Sequence, residues 1–148
     1  MRPITWEIDL VDWANRMRGK PFVWGETDCA SLGRQMVLLL TETDPAPEVT
    51  YHDLRSAQTY LKAHSLAMWL DRAGAVVVPE GYAFAQSGDI LVGKDRDHPG
   101  MPGCAFAAGG KWVVVSVEQG VQIGLPLESL SDTTLYRLPF PIEVPADE

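Results

Sequence analysis

Cys29 is the residue of this sequence whose type and position best suit covalent chemistry. It stands in GETDCASLGRQMVLLL, residues 25–40, between an aspartate and a long apolar run. Thr27 or Asp28 can cap a helix that begins at about Cys29, which places the thiol in the first turn. Unpaired backbone N–H groups there favour a thiolate and can hold an oxyanion, which are two requirements of acyl transfer by cysteine. The alternative is that Cys29 is a small buried residue of the helix core.

A nucleophilic cysteine needs a general base, and the sequence contains three histidines. His98, in KDRDHPG, is the candidate base. The composition of that segment is also typical of a solvated turn, in which the imidazole faces water. His52 and His64 belong to the helical half of the chain, where surface or capping roles are favoured.

Three residues close to Cys29 are candidate substrate contacts. Trp24 and Gly25 can line a groove, because a glycine lets a ligand approach the backbone closely. The alternative, which so large a side chain favours, is that Trp24 packs the first helix onto a sheet. Asp28 can orient a substrate amine, or it can cap the helix that follows.

The sequence predicts neither a metal site nor a cofactor. Cys29, Cys104 and His98 lack the close ligand pairs, such as Cys-x-x-Cys, that characterise structural zinc sites. Two cysteines without a disulfide framework favour free thiols over a bridge.

The elements that must position these side chains are helical in the first half of the chain and extended in the second. Helices are predicted at residues 6–17 (with Gly19 as the C-terminal cap), about 29–40, 54–63 and 65–73. After Gly74 come six short β-branched or aromatic runs: AVVVP, DILVG, CAFAA, KWVVVSV, GVQIG and TLYRL. Gly109-Gly110 predicts a hairpin turn. The pattern predicts an α+β fold, with N-terminal helices packed on a C-terminal antiparallel β-meander.

Length and charge exclude several classes of function. A chain of 148 residues predicts one domain, over residues 1–138, followed by a proline-rich acidic tail at residues 139–148. The net charge of −8 argues against nucleic acid as a partner. No apolar run reaches the roughly 18 residues of a membrane span, and no export segment is apparent, so synthesis in the cytosol is expected.

GKPFVWGETDCASLGRQMV, residues 19–37, resembles the motif of NlpC-type cysteine peptidases, in which a Gly-Lys-x-aromatic phrase leads through Trp-Gly to Asp-Cys and opens a helix. QSGDILVG, residues 86–93, is similar to the Gly-Asp strand of that family. The resemblance covers about residues 8–138, and WG-x-x-DC is its most specific part. It implies a papain-like fold with Cys29 as the nucleophile.

The resemblance also implies a histidine at the start of the next strand, where this sequence reads PGCAFAAGGKW. Pro102, Gly103 or Cys104 occupies that position. The third polar group of the family comes from the following strand, where WVVVSVEQ offers Ser116. Within the family the likeness is strongest to small proteins encoded among the tail genes of long-tailed bacteriophages.

These features imply a structural or assembly protein of a bacteriophage tail tip that has lost the catalytic histidine. It would be made in the host cytoplasm, reside in the virion and contact other tail proteins at the hub or tail tip, with bacterial peptidoglycan as the ancestral substrate class. The alternative is an active peptidoglycan cysteine endopeptidase or amidase. In that enzyme Cys29 attacks a peptide carbonyl, and His98 or a residue of a partner supplies the base.

Overall fold

The computed structural model describes residues 5–98 and 100–139, which form an α+β fold as predicted. The helices are α1 (Trp6–Met17), α2 (Cys29–Thr41), α3 (Leu54–Ala63), α4 (Leu66–Arg72) and the short α5 (Pro126–Ser129), with a 3-10 turn at Gly81–Phe84. The strands are β1 (Val76–Val78), β2 (Asp89–Asp95), β3 (Pro102–Ala108), β4 (Lys111–Ser116), β5 (Gly120–Ile123) and β6 (Leu130–Arg137). None of the described helices is long and apolar enough to span a membrane. Most of the predicted acidic tail, residues 140–148, lies outside the described residues.

The predicted helices of the first half are confirmed, and their ends follow local capping rules. Asp28, Asp53 and Ser65 are the N-caps of α2, α3 and α4, and each side chain accepts a backbone N–H of the first turn. Gly19, two residues after the end of α1, has a φ of 85°, a conformation that favours glycine.

The sheet differs from a simple meander. All five strand pairs are antiparallel, and the strand order is β1-β6-β2-β3-β4-β5. Strands β2 to β5 follow one another as predicted, but β6 returns across the sheet and lies between β1 and β2. The ten residues 79–88 separate β1 from β2 and leave room for this insertion. The prediction of consecutive hairpins was wrong at β1 and β6, because pairing between strands distant in sequence leaves no local signal.

The turn between β3 and β4 is the two-residue hairpin that the sequence predicts. Gly109 and Gly110 have φ angles of 61° and 82°. A turn with both central residues at positive φ matches the twist of the flanking strands, and glycine adopts it without strain.

The main core lies between helices α1, α2 and α4 and one face of the sheet. Its largest fully buried side chains include Trp69, Phe106, Leu10, Leu32 and Met36. The rings of Trp13 and Phe106 meet edge to face, with centroids 6.1 Å apart. Strand β3 is buried on both faces, because Phe106 and Cys104 face the helices while Ala105 joins the cluster on the other side. This placement brings Cys104 to the side of the sheet that α2 covers.

Candidate functional site

The start of α2 is fixed by the buried carboxylate of Asp28, which is 1% exposed. One oxygen accepts the Gly25 N–H (2.8 Å) and the Ser31 hydroxyl (2.5 Å). The other accepts the Tyr51 hydroxyl (2.5 Å) and, at 3.4 Å, the Ser31 N–H. Four donors therefore satisfy a carboxylate that would otherwise be costly to bury. Asp28, a candidate substrate contact from the sequence, is thus the helix cap and a link between the start of α2 and Tyr51.

Tyr51 belongs to this site, and sequence reasoning missed it. Burial raises the pKa of its phenol far above the usual value, and the charge of Asp28 and the hydrogen bond to it act in the same direction. The phenol therefore remains a hydrogen-bond donor to Asp28. From sequence one can expect only that a buried carboxylate needs hydrogen-bond donors. The sequence does not show which residues supply them.

Cys29 is the first residue of α2 and is half-buried. Its Sγ donates to the backbone carbonyl of Pro102 at 3.7 Å, a contact between the helix start and β3. Among the described residues, the backbone N–H groups of Cys29 and Ala30 have no acceptor within the protein. Such N–H groups are normal at a helix start, and here they adjoin the thiol. The geometry therefore combines a thiol with two free donors.

Cys104 lies directly behind Cys29. Both cysteines are free, as the sequence predicts, and both line one cavity. Burial raises the pKa of the Cys104 thiol well above its usual range, and contact with Cys29 and the charge of Asp28 add to this effect. Cys104 therefore stays protonated beside Cys29. Cys104 is one of the three residues that could occupy the position of the family's histidine. If it does, a second thiol stands there.

None of the three histidines hydrogen-bonds Cys29 within the described residues. His52 lies 3.6 Å from Asp53 on the surface, and His64 stacks on Tyr60 with ring centroids 4.7 Å apart.

His98 is held by two carboxylates. Its Nδ1 lies 3.1 Å from Asp95, and its Nε2 lies 3.1 Å from Glu118, which comes from the turn between β4 and β5. The hydrogen bond to Asp95 is the main cause that raises the pKa of His98, burial opposes it, and Glu118 adds to the rise. Both ring nitrogens are therefore engaged away from Cys29, although His98 lines the same cavity as the thiol.

Two cavities meet at Cys29, with volumes of about 670 Å³ and about 430 Å³. We call the larger one the lysine arm, since Lys62 and Lys94 line it, and the smaller one the histidine arm, since His98 lines it. Both arms share five lining residues: Cys29, Gln58, Leu61, Met101 and Pro102. The arms therefore form one groove that passes over the thiol between α3 and the start of β3.

The two arms carry opposite charge. Lys62 and Lys94 line the lysine arm, whereas the histidine arm is lined by Asp95 and Asp97 in addition to His98. A ligand lying along the groove would therefore meet cations on one side of Cys29 and carboxylates on the other.

Trp24 and Gly25, the other candidate substrate contacts, have different positions. Trp24 lines the histidine arm, where its ring meets Phe22 edge to face with centroids 4.7 Å apart. Gly25 has a φ of 86°, and a Cβ on it would collide with the backbone carbonyl of Tyr51. The group that approaches Gly25 closely is thus the loop that carries Tyr51.

The sequence comparisons place the chain in a family. The family model of DUF6950, described as a domain of unknown function, matches residues 1–131. The chain belongs to the DUF6950 family. No curated protein and no solved structure matches it significantly. The range that matches DUF6950 contains every residue that lines the two arms of the groove.

The reactive group in the groove of this DUF6950 domain is the thiol of Cys29. Within the described residues, no cluster of three histidine, cysteine or acidic side chains could hold a metal ion. The groove offers a nucleophile, two backbone donors and charged walls. Within the described residues no histidine hydrogen-bonds the thiol, and His98, which lines the same cavity, has both ring nitrogens hydrogen-bonded to carboxylates.

Proposed function

We propose that this protein is a structural subunit of a bacteriophage tail tip, built on a papain-like NlpC-type fold, in which the groove over Cys29 binds and does not cleave. The observation that carries the proposal is the environment of Cys29. Its thiol donates to the carbonyl of Pro102 in a groove that Cys104 also lines, while both ring nitrogens of His98 are engaged by Asp95 and Glu118.

The absence of a base has a chemical consequence. A cysteine peptidase uses histidine to take the thiol proton and then to protonate the leaving amine. Cys104 cannot replace it, because its raised pKa keeps the thiol protonated, and a neutral thiol cannot take up the proton of Cys29. The groove around Cys29 is therefore better suited to hold a chain than to cut one.

The shape and charge of the groove support an extended peptide as its occupant. A groove of two arms admits a segment that runs past Cys29 in both directions. Lys62 suits an acidic part of the segment, and Asp97 suits a basic part. We assign this segment to a neighbouring protein of the tail hub, with peptidoglycan as the ancestral ligand of the same groove.

The placement in a phage tail rests on the sequence motif. WG-x-x-DC stands at the start of α2, as the resemblance to the small tail-gene proteins implies. In this proposal the protein is made in the cytoplasm of the bacterial host and becomes part of the virion.

The test uses the phage or prophage that encodes the chain. Its gene is deleted and replaced with variants, and infectious titre and tail morphology are measured. Gln58→Trp places a large side chain where the two arms meet, so the titre should fall toward that of the deletion. Thr59→Trp is the matched control, since Thr59 is exposed on the same helix and lines neither arm, and it should restore assembly. Normal tails with Gln58→Trp would contradict a role for the groove in assembly.

The second candidate is an active peptidoglycan cysteine endopeptidase or amidase. The observation in its favour is that Cys29 and His98 line one cavity and that two backbone N–H groups beside the thiol are free to hold an oxyanion. Purified wild type and Cys29→Ser would be incubated with peptidoglycan and the released peptides measured by mass spectrometry. Release by the wild type alone would establish the enzyme, whereas release by neither is expected from an assembly subunit.

A further inference from the structure

Cys104 is a buried thiol that the proposed binding groove does not need. It lies on β3 with 4% of its surface exposed. Cys29 contacts the carbonyl of Pro102, which stands two residues before Cys104 on the same strand. Both cysteines line the lysine arm, and Cys29 packs against the core cluster that contains Cys104. The two cysteines therefore adjoin the same part of the groove, at the junction of α2 and β3.

The two thiols differ in access. Cys29 is half-buried and lines both arms of the groove, whereas Cys104 is buried behind it. Burial raises the pKa of the Cys104 thiol, which therefore stays neutral. An oxidant entering the groove thus meets Cys29 first, and Cys104 is already in place to react second. An exposed thiol next to a resolving cysteine is the arrangement found at redox-sensitive sites.

We propose that Cys29 and Cys104 form a redox-sensitive modification site, at which hydrogen peroxide produces an intramolecular disulfide between α2 and β3. The inference rests on the placement of both cysteines around the lysine arm, with the Cys29 thiol on the carbonyl of Pro102 two residues before Cys104, and it is independent of the proposed assembly function.

The reaction proceeds in two steps. The Cys29 thiolate attacks one oxygen of hydrogen peroxide, the O–O bond breaks and hydroxide leaves, so that sulfur is oxidised to a sulfenic acid while peroxide is reduced. The Cys104 thiol then attacks the Cys29 sulfur, the S–O bond breaks, and the departing hydroxide takes the Cys104 proton and leaves as water. The hydroxide from the first step takes up the proton that the Cys29 thiol lost. One hydrogen peroxide and two thiols thus give one disulfide and two water molecules.

The bridge would change the groove. It would consume the thiol at the point where the two arms meet and tie the first turn of α2 to β3. A thiol-directed ligand could then no longer react at Cys29, and a reductant would restore it.

The experiment treats the folded full-length protein with hydrogen peroxide and maps the cysteines by peptide mass spectrometry without reduction. In the wild type we expect one peptide pair linked through Cys29 and Cys104, a loss of two hydrogens in intact mass, and reversal by a thiol reductant. In Cys104→Ala, Cys29 should stop at a sulfenic acid that dimedone traps. In Cys29→Ser, Cys104 should remain a thiol, because it is buried.

Two results would overturn the proposal. One is oxidation of wild-type Cys29 to sulfinic acid, or to a disulfide between two copies of the chain, without the internal bridge. The other is trapping of the Cys29 sulfenic acid by dimedone as fully in the wild type as in Cys104→Ala. The mapping of the wild type needs no variant, so a folding defect in Cys104→Ala would leave the first criterion intact.

Discussion

Asp28 is the side chain on which the position of Cys29 depends most directly. Its carboxylate caps α2, ties Gly25 and Tyr51 to the start of the helix, and is 1% exposed. The free energy of this arrangement comes from hydrogen bonds to a charged acceptor inside the protein, which contribute more than those to neutral groups. The site is therefore rigid at the residue that would react.

Asp28→Asn tests this role. Asparagine caps a helix as well as aspartate does, but it removes the charge that four donors share. We expect the free energy of unfolding to fall by about 2–4 kcal/mol, measured by urea denaturation with tryptophan fluorescence. Asp53→Asn is the matched control, because Asp53 caps α3 in a solvent-exposed position and its replacement by an equally good cap should cost much less. Equal losses in the two variants would show that Asp28 acts only as a cap.

His98 gives a second prediction, on pH dependence. Asp95 is the main cause of its raised pKa, so Asp95→Asn should lower the pKa of His98 more than Glu118→Gln does, measured by NMR titration of the imidazole protons. The folded state holds the proton more tightly than the unfolded state. This contribution to stability is therefore fully present below the ordinary histidine pKa of about 6.5 and is lost as pH rises through the folded value. An unchanged titration midpoint in Asp95→Asn would mean that the ring is not held as described.

At the scale of single residues, the sequence predicted the features that depend on neighbouring residues in the chain. The first turn of α2 and the position of Cys29 in it follow from a capping aspartate and an apolar run. The partners of that turn, Tyr51 and Cys104, come from a loop and a strand distant in sequence. Their contacts depend on tertiary packing, which leaves no periodic signal in a single sequence.

At the scale of elements, β6 is the strand that completes the sheet. It pairs with both β1 and β2, and its last residue, Arg137, forms two hydrogen bonds of 3.0 and 2.9 Å with Asp89 at the start of β2. Asp89 is 1% exposed, so this ion pair satisfies a buried carboxylate. The pair fixes the register in which β6 enters the sheet.

Arg137→Gln should therefore be strongly destabilising. It leaves Asp89 buried without its charge partner, and we expect the free energy of unfolding to fall by about 2–4 kcal/mol, since Arg137 itself remains partly exposed. Lys94→Gln is the matched control because Lys94 also joins β2 to β6, through Asp132 at 3.2 Å, but with both side chains at least 70% exposed. That variant should change stability by less than about 0.5 kcal/mol. Similar losses in the two variants, measured by urea denaturation, would contradict the importance of the buried pair.

The elements themselves were largely predictable, and their arrangement was not. Helical periodicity located α1 to α4, and β-branched runs with glycine punctuation located the six strands. The insertion of β6 between β1 and β2 pairs residues as distant in sequence as Arg137 and Asp89, 48 positions apart. Turn signals report only on neighbouring strands, so they predict hairpins and miss such a return.

At the scale of the whole molecule, the groove over Cys29 results from three parts of the chain. The start of α2 supplies the thiol, α3 supplies Gln58 and Leu61, and the segment leading into β3 supplies Met101 and Pro102. Sequence reasoning identified Cys29, Trp24 and His98 one by one, and all three line this groove. It did not predict that His98 would be held by Glu118, since that contact exists only once β4 and β5 have formed their turn.

The proposed function makes a specific statement about the whole assembly, namely that the groove is needed and the thiol is not. Cys29→Ser keeps a small hydroxyl that can still donate to the carbonyl of Pro102, so the fold and the groove should persist. Any loss of function in this variant would thus point to the chemistry of sulfur.

The most direct measurement is the infectious titre of the gene-deleted phage complemented with Cys29→Ser, with the unfolding midpoint of the purified variant as a control on folding. The account predicts a titre equal to that of wild-type complementation. A titre at the level of the deletion, with the variant as stable as the wild type, would contradict the account and establish Cys29 as a nucleophile that the virion requires.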